Sequence, residues 1–282
     1  MSSKNAFAST KHKTSTSRQS QTQRSSVHEL TSIPETILHY RLMNIKYKEV
    51  KTQNKNDQKI MKYMSDKVIM DKSPHFSIIT VQKDGMKNIY LEETHDGTFK
   101  HFIGKYSYIL HISLLKNMLE QILISILSLH HFGFRKSNFN DIDLNEISYK
   151  ITKSLNDGSY FHYKFFQKDF FIKDNGFLWI FSTLNELENN YDKEYTTTHK
   201  YDEEDDFEDE YSRLFEYLLK NKKFPEEFKT TIRDVQNILT GTIKTKDSEE
   251  TFFKEILKSE LLFNQKPSNG DKKLTYIITP TK

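Results

Sequence analysis

The sequence of 282 residues contains no cysteine, which excludes a disulfide, a thiolate nucleophile and a cysteine-type zinc site. This absence fits a reducing compartment. Glycine (8) and proline (5) are scarce, whereas phenylalanine (21) and tyrosine (15) are plentiful. The 11 histidines show no zinc-like spacing. The motifs G-x-S-x-G, H-E-x-x-H and G-x-G-x-x-G are also missing, so no common enzyme class is marked.

A strong charge of one sign is missing as well. The chain has 42 Lys and Arg against 39 Asp and Glu, and this net charge of +3 does not indicate a nucleic-acid footprint over the whole molecule. No stretch predicts a membrane span, because the most apolar run, 109–132, contains polar and charged residues and is interpreted as a buried helix. The N-terminus lacks the apolar core of a signal peptide, although its composition overlaps with that of a transit peptide. We therefore expect an intracellular protein without membrane association.

Residues 1–32 consist mainly of Ser, Thr, Gln, Lys and Arg, and this composition predicts a disordered tail. The tail is basic, because no acid precedes Glu29; its bases are Lys4, Lys11, Lys13, Arg18 and Arg24. Two interpretations stay open. The tail is either a solvated segment or an arm that contacts nucleic acid or an acidic partner.

Hydrophobic periodicity predicts an α+β fold that begins at residue 33. A helix over 59–70 has apolar residues at helical spacing, and strands over 76–81 and 89–92 flank a turn at 83–85. The run 109–132 is apolar on most sides, as is typical of a helix in a domain core. These patterns place a small mixed segment, 33–93, before a larger one, 94–282.

The segment 94–282 continues with aromatic-rich strands and then with helices. The strands predict an aromatic hairpin at 160–181, with Asn175-Gly176 as a turn signal. An acidic loop is predicted at 186–210. Three helices are predicted over 208–221, 225–239 and 248–263, and Gly241 is interpreted as a stop signal after the second of them.

Five groups of short segments occur in a fixed order along residues 36–278. They are Lys59–Met64 with Ser73–Phe76, Tyr90–Glu93 with Asp96–Phe99, Leu129–Phe134, Gly158–Lys164 with Gly176–Trp179, and Leu261–Phe263 with Lys266–Asn269. In this order they resemble the protein-kinase-like proteins of giant DNA viruses. The resemblance implies a two-lobed kinase-like fold with a reduced N-lobe at 33–93 and a mainly helical C-lobe at 94–282.

The positions that carry kinase chemistry differ from the family pattern. Phosphoryl transfer in kinases needs an Asp that orients the substrate hydroxyl, and an Asn and a second Asp that hold magnesium. Counted on from Leu129–Phe134, the first two positions hold Asn138 and Asp143, and the second Asp position, five residues beyond Leu178, holds Thr183. An amide cannot accept a proton as a carboxylate does, and a neutral hydroxyl is a poor ligand for a hard cation. The resemblance therefore implies a degenerate, inactive site.

Two further groups of residues bear on nucleotide and metal binding. Lys46 matches the ATP-binding lysine of the family and Asp57 its helix glutamate, whereas a solvent-facing lysine on an edge strand is the competing interpretation. Asp141 and Asp143 lie in an acidic cluster that can hold Mg²⁺, and a solvated loop is the competing interpretation. We expect no cofactor, with weak binding of ATP and Mg²⁺ as the alternative.

These observations predict a catalytically inactive pseudokinase that binds or scaffolds a protein partner in the host cytoplasm or in a virion. Two alternatives stay open. One is an atypical active serine/threonine protein kinase that uses Asp141 or Asp143. The other is a virion or nucleic-acid-associated structural protein whose tail, 1–32, contacts nucleic acid.

Overall fold

The computed structural model describes most of the chain after residue 40. The described residues are 41, 45–50, 55–70, 72–106, 110–132, 135–136, 147–152, 159–181, 187–188, 203–243, 247–269, 271 and 273–277. All of them belong to one compact unit, Glu35–Lys282.

The described residues form six helices and eleven strands, mostly in runs of one type. The helices are α1 (Lys55–Ile69), α2 (Phe99–Lys105), α3 (Ile112–His131), α4 (Glu203–Lys220), α5 (Glu226–Thr242) and α6 (Ser248–Ser259). The strands are β1 (Tyr47–Glu49), β2 (Ile79–Asp84), β3 (Lys87–Glu93), β4 (Gly97–Thr98), β5 (Arg135–Lys136), β6 (Ser148–Ile151), β7 (Tyr160–Phe165), β8 (Lys168–Lys173), β9 (Phe177–Ile180), β10 (Leu187–Glu188) and β11 (Lys273–Ile277).

Within these ranges the strands form three three-stranded sheets and one short pair. The sheet orders are β1-β3-β2, β4-β6-β9 and β11-β7-β8, and β10 pairs with β5. All of these pairings are antiparallel except that of β11 with β7, which is parallel. The predicted α+β class is therefore confirmed.

Helix α3 forms the centre of the apolar core. Its side chains Leu115, Leu119 and Ile122 are at most 1 % exposed, because the helix is surrounded by β9, β8 and α5. The prediction of a buried helix in this run is confirmed. By length and composition α3 is also the one helix of the described residues that could cross a membrane. However, 78 % of its apolar stretch is buried inside the protein.

The same core continues across the predicted lobe boundary at 93–94. Ile60, Met64 and Val68 of α1 belong to one apolar cluster with the α3 residues, and so do Phe252 and Phe253 of α6. The described residues therefore share one continuous core.

The buried side chain of Gln121 completes the edge of β9. Strand β9 pairs with β6 on one side, and on its other side Gln121 takes the place of a neighbouring strand. Its amide nitrogen donates to the Phe177 carbonyl at 2.9 Å, and its amide oxygen accepts from the Trp179 N–H at 2.9 Å. A glutamine on the core helix thus satisfies two backbone groups that apolar neighbours would leave unpaired.

The two antiparallel hairpins turn in different ways. In β2–β3 the two-residue loop uses Gly85, whose φ of 59° suits a residue without a Cβ. In β7–β8 the loop residues Phe166 and Gln167 have φ values of 49° and 58°, as a type I′ turn requires of both central residues. The Phe166 ring lies 5.3 Å from the His131 ring, and this packing offsets part of the cost of the left-handed backbone.

Several sequence predictions differ from the structure. The Asn175-Gly176 turn does not close a hairpin, because β8 pairs with β7 while β9 pairs with β6 in another sheet. Only the 160–173 part of the predicted aromatic hairpin is a hairpin. Gly241 lies inside α5, where a Cβ would meet nothing within 4 Å, so it is not a stop signal. Helix α4 begins at Glu203, so the last residues of the predicted acidic loop are helical.

Candidate functional site

A buried group of charges connects the start of the described chain to β3 and β6. Arg41 is 0 % exposed, and its guanidinium donates to the backbone carbonyls of Pro74 at 2.8 Å and Phe76 at 2.7 Å. The same guanidinium forms two hydrogen bonds with the carboxylate of Glu93, one of them at 3.2 Å from Nε. Because Arg carries its donors in a planar fork, it suits this combination of carboxylate and backbone acceptors.

The carboxylate of Glu93 has further partners. Lys150 of β6 forms an ion pair with its Oε1, and the Ile78 N–H donates to its Oε2 at 3.2 Å. Burial would raise the pKa of Glu93, but the guanidinium of Arg41 and then the ammonium of Lys150 outweigh it and lower that pKa to about 2. At neutral pH Glu93 is therefore a carboxylate held by two cations.

A second carboxylate lies beside this group. Glu92 is 3 % exposed, and its ion pair with the half-exposed Lys48 spans 2.9 Å. Burial raises the pKa of Glu92 and the partner Lys48 opposes that shift. Oxygen Oε1 of Glu92 has no hydrogen-bond partner among the described residues, which makes this carboxylate the least satisfied member of the group.

A serine and a histidine complete the same region. The Ser77 hydroxyl oxygen lies 3.2 Å from Nε2 of His95 and 3.5 Å from the Phe181 carbonyl oxygen. Burial lowers the pKa of His95 to about 3, far below the value that suits a general base at neutral pH. Ser77 is itself only 5 % exposed. The pair therefore resembles a nucleophile and its base in spacing, but it lacks both the basicity and the access that such chemistry needs.

A neutral histidine joins this region to two of the sheets. Nδ1 of His75 lies 2.8 Å from the Trp179 carbonyl, which can only accept, so Nδ1 carries the proton. Nε2 then accepts from the Tyr163 hydroxyl at 2.7 Å. Burial lowers the pKa of His75 to about 4, so the ring stays neutral and serves as a bridge between β9 and β7.

A second buried ionic cluster joins the end of α3 and the start of α6 to the middle of α4. The His130 side chain of α3 is 7 % exposed and contacts Glu210 of α4 through Nε2 and Glu249 of α6 through Nδ1, the latter at 2.7 Å. The Tyr211 hydroxyl donates to the same oxygen of Glu249 at 2.9 Å. Burial would lower the pKa of His130, but the two carboxylates raise it to about 10, so the ring is an imidazolium at neutral pH.

This arrangement does not suit a metal ion. The two ring nitrogens of His130 point to different carboxylates, so one cation cannot be reached by all three side chains. Within the ranges given above, no group of three or more His, Asp or Glu residues could hold a metal.

The sequence-predicted site residues are only partly placed. Lys46 precedes β1 and is exposed, and it makes no ion pair with another described residue. Asp57 lies in the first turn of α1, but its side chain is not described. Asn138, Asp141, Asp143 and Thr183 lie outside the described residues. Of the predicted site residues, the structure therefore describes only Lys46 and the backbone position of Asp57.

Sequence reasoning missed the residues that form both buried clusters. Arg41, Lys150 and Glu210 each belong to residue types that are mostly exposed, and no periodic pattern marks them as buried. One signal was present for Lys150, which lies in Ile147–Ile151 between apolar and aromatic residues, as in a strand buried on both faces.

The chain was compared with protein-family models, curated proteins and solved structures, and nothing matches it in any of the three.

Proposed function

We propose that this chain is a catalytically inactive, kinase-like binding protein that holds a protein partner. The two-lobed kinase-like arrangement is part of this proposal. It is supported by the order of elements, in which strands and helix α1 precede the long apolar helix α3, and three further helices follow the aromatic strands. The degenerate positions Asn138, Asp143 and Thr183 support the absence of catalysis.

The observation that carries the proposal is the saturation of the Arg41–Glu93–Lys150 cluster. In active kinases a lysine paired with a glutamate contacts the nucleotide phosphates. Lys150 and Glu93 form a buried pair of this type, although the family's positions fall at Lys46 and Asp57. Here Glu93 is held by two cations and a backbone N–H, and Arg41 is in turn held by two carbonyls. The three side chains are buried and bonded to one another or to backbone groups, so a phosphate has no access to them even though two cations face one carboxylate.

The exposed position of Lys46 is in keeping with this view. A phosphate-binding lysine is normally held in place by a carboxylate, and Lys46 has no such partner among the described residues. Lys46 lacks a carboxylate partner among the described residues and Lys150 is buried in its pair with Glu93, so tight binding of ATP is not expected.

The test is the thermal stability of the full chain with ATP, with and without Mg²⁺. A nucleotide at about 100 times its Kd would stabilise the protein by about 2.7 kcal/mol. For a chain of this size that corresponds to a rise in melting temperature of roughly 5–10 °C. We expect no measurable rise, and no phosphate incorporation into generic substrates with Mg²⁺ or Mn²⁺.

The variants Asp141→Ala and Asp143→Ala serve as controls in the same assays. If the wild type transferred phosphate and either variant abolished the transfer, the chain would be an atypical kinase and the proposal would be wrong. A rise in melting temperature with ATP and Mg²⁺ that Lys46→Met removes would overturn the absence of nucleotide binding.

A further inference from the structure

The exposed face of α1 carries a row of three lysines. Lys55, Lys59 and Lys62 are all exposed and follow one another at spacings of four and three residues, so they share one side of the helix. The opposite side is buried against the core through Ile60, Met64 and other apolar residues. We call these three residues the lysine face of α1.

Cations on the C-terminal helices are arranged differently. There three lysines and an arginine are compensated by carboxylates three to seven residues away on their own helix; the pairs are Lys220–Glu216, Arg233–Glu226, Lys254–Glu250 and Lys258–Glu255. On the lysine face the neighbour of Lys55 at i+4 is another lysine. The exposed Asp66 lies four residues after Lys62, but none of the three lysines forms an ion pair with a described residue. Like charges at this spacing destabilise a helix slightly, and a bound anion would relieve them.

The N-terminal part of the chain, to which α1 belongs, also carries an excess of positive charge. Residues 1–100 contain 17 Lys and Arg against 10 Asp and Glu, a net charge of +7. Residues 101–282 contain 25 against 29, a net charge of −4. The small overall charge of +3 therefore conceals a basic N-terminal part, and the lysine face lies within it.

We propose that the lysine face of α1 binds the phosphate backbone of a nucleic acid, without reading its sequence. The rise along the helix from Lys55 to Lys62 is about 10 Å. Duplex DNA carries one phosphate per strand for about 3.4 Å of its axis, so about 10 Å of duplex carries about three phosphates on each strand. Lysines act as point charges towards phosphates, and contacts of this kind position a protein on a duplex.

A protein partner fits the lysine face less well. Protein interfaces place aromatic residues and arginine at their centre and are depleted of lysine. No described aromatic residue of α1 is exposed, and the exposed apolar residues Ile69 and Met70 lie two turns beyond the lysine face. The pattern is therefore that of an electrostatic surface for a polyanion.

The test measures the anisotropy of a labelled DNA duplex of arbitrary sequence as the full chain is added at several salt concentrations. The test variant is Lys55→Gln, Lys59→Gln and Lys62→Gln combined, and the matched control is Lys220→Gln, Lys254→Gln and Lys258→Gln combined. Both remove three positive charges from exposed helix positions, where glutamine preserves helix propensity. Melting temperatures establish that both variants are folded.

We expect the wild type to bind with a strong salt dependence. The test variant should bind about 10-fold more weakly or worse, and the slope of log affinity against log salt should fall by about 2–3, because about three phosphate contacts are lost. The control variant should bind as the wild type does. Single-stranded RNA as a second probe establishes which nucleic acid is preferred.

Three outcomes would overturn the proposal. Equal losses in both triple variants would show that only total charge matters, and undiminished binding by the test variant would place the contact elsewhere, for example on residues 1–32. Tighter binding of a labelled polyglutamate peptide than of DNA or RNA would assign the lysine face to an acidic protein. If the triple variant failed to fold, Lys59→Gln alone must still lower the salt slope by about 1.

Discussion

The imidazolium of His130 makes the stability of the protein depend on pH in the neutral to basic range. Its pKa is raised to about 10 in the folded chain by Glu249 and Glu210, against an ordinary value of about 6.5 in the unfolded chain. A raised pKa contributes stability that is fully present below pH 6.5 and is lost as the pH rises towards 10. Each pH unit inside this window is worth about 1.4 kcal/mol.

We therefore expect the free energy of unfolding of the wild type to fall by about 3 kcal/mol between pH 7 and pH 9. In urea this lowers the midpoint by about 1 M or more, because m is roughly 2–3 kcal/mol/M for a chain of this size. The variant His130→Gln should lose about 3–5 kcal/mol at pH 7, since Glu210 and Glu249 are left buried without their cation. Its stability should no longer fall between pH 7 and pH 9.

Urea denaturation followed by circular dichroism at about pH 6, 7, 8 and 9 measures both effects. The variant His162→Gln is the matched control, because His162 pairs with an exposed carboxylate, Asp169, on the β7–β8 hairpin. Parallel curves for the wild type and His130→Gln would refute the reasoning, since the pH dependence would then come from other groups.

Three further substitutions test the core and its polar contacts. Ile122→Asp should abolish cooperative thermal unfolding, because it places an unpaired charge in the centre of α3, and a soluble variant with an unchanged melting temperature would contradict the assignment of that helix. Gln121→Leu should lower the free energy of unfolding by about 2–4 kcal/mol, because the Trp179 N–H and the Phe177 carbonyl lose their partner; a loss below about 1 kcal/mol in urea would be inconsistent with this role. Arg41→Met should lower the free energy of unfolding by about 3–5 kcal/mol, because Glu93 and two backbone carbonyls then face an apolar side chain. Adding Glu93→Gln should recover part of the lost stability in a thermal melt.

The longest periodic patterns were the most informative part of the sequence. The four-and-three spacing of apolar residues in Ile112–His131 predicted the core helix because the pattern covers five turns. Helix α2 was missed, since its 7 residues are too few to show a period. Its N-cap, Thr98, accepts from the His101 N–H at 3.3 Å, but a single threonine is a weak signal.

Pairing between distant segments could not be predicted from one sequence. The Asn175-Gly176 signal correctly marked a turn, but turn chemistry does not determine whether the strands that it joins pair with each other. In the same way, the contact of Arg41 with Glu93 joins residues 52 positions apart, and nothing local requires it. The kinase-like positions Asn138, Asp143 and Thr183 stay predictions, because they lie outside the described residues.

The parallel pairing of β11 with β7 has a consequence for synthesis in the cell. Lys273 pairs with Tyr160, so one edge of β7 is without its partner until about 110 further residues have been made. At a translation rate of about 5–20 residues per second this takes roughly 5–20 s. During that time the nascent chain carries an open strand edge beside the aromatic β7–β8 hairpin, which is a template for unwanted pairing with other chains. A chain interrupted before Lys273 would keep this edge permanently, so we expect such fragments to aggregate or to be held by chaperones.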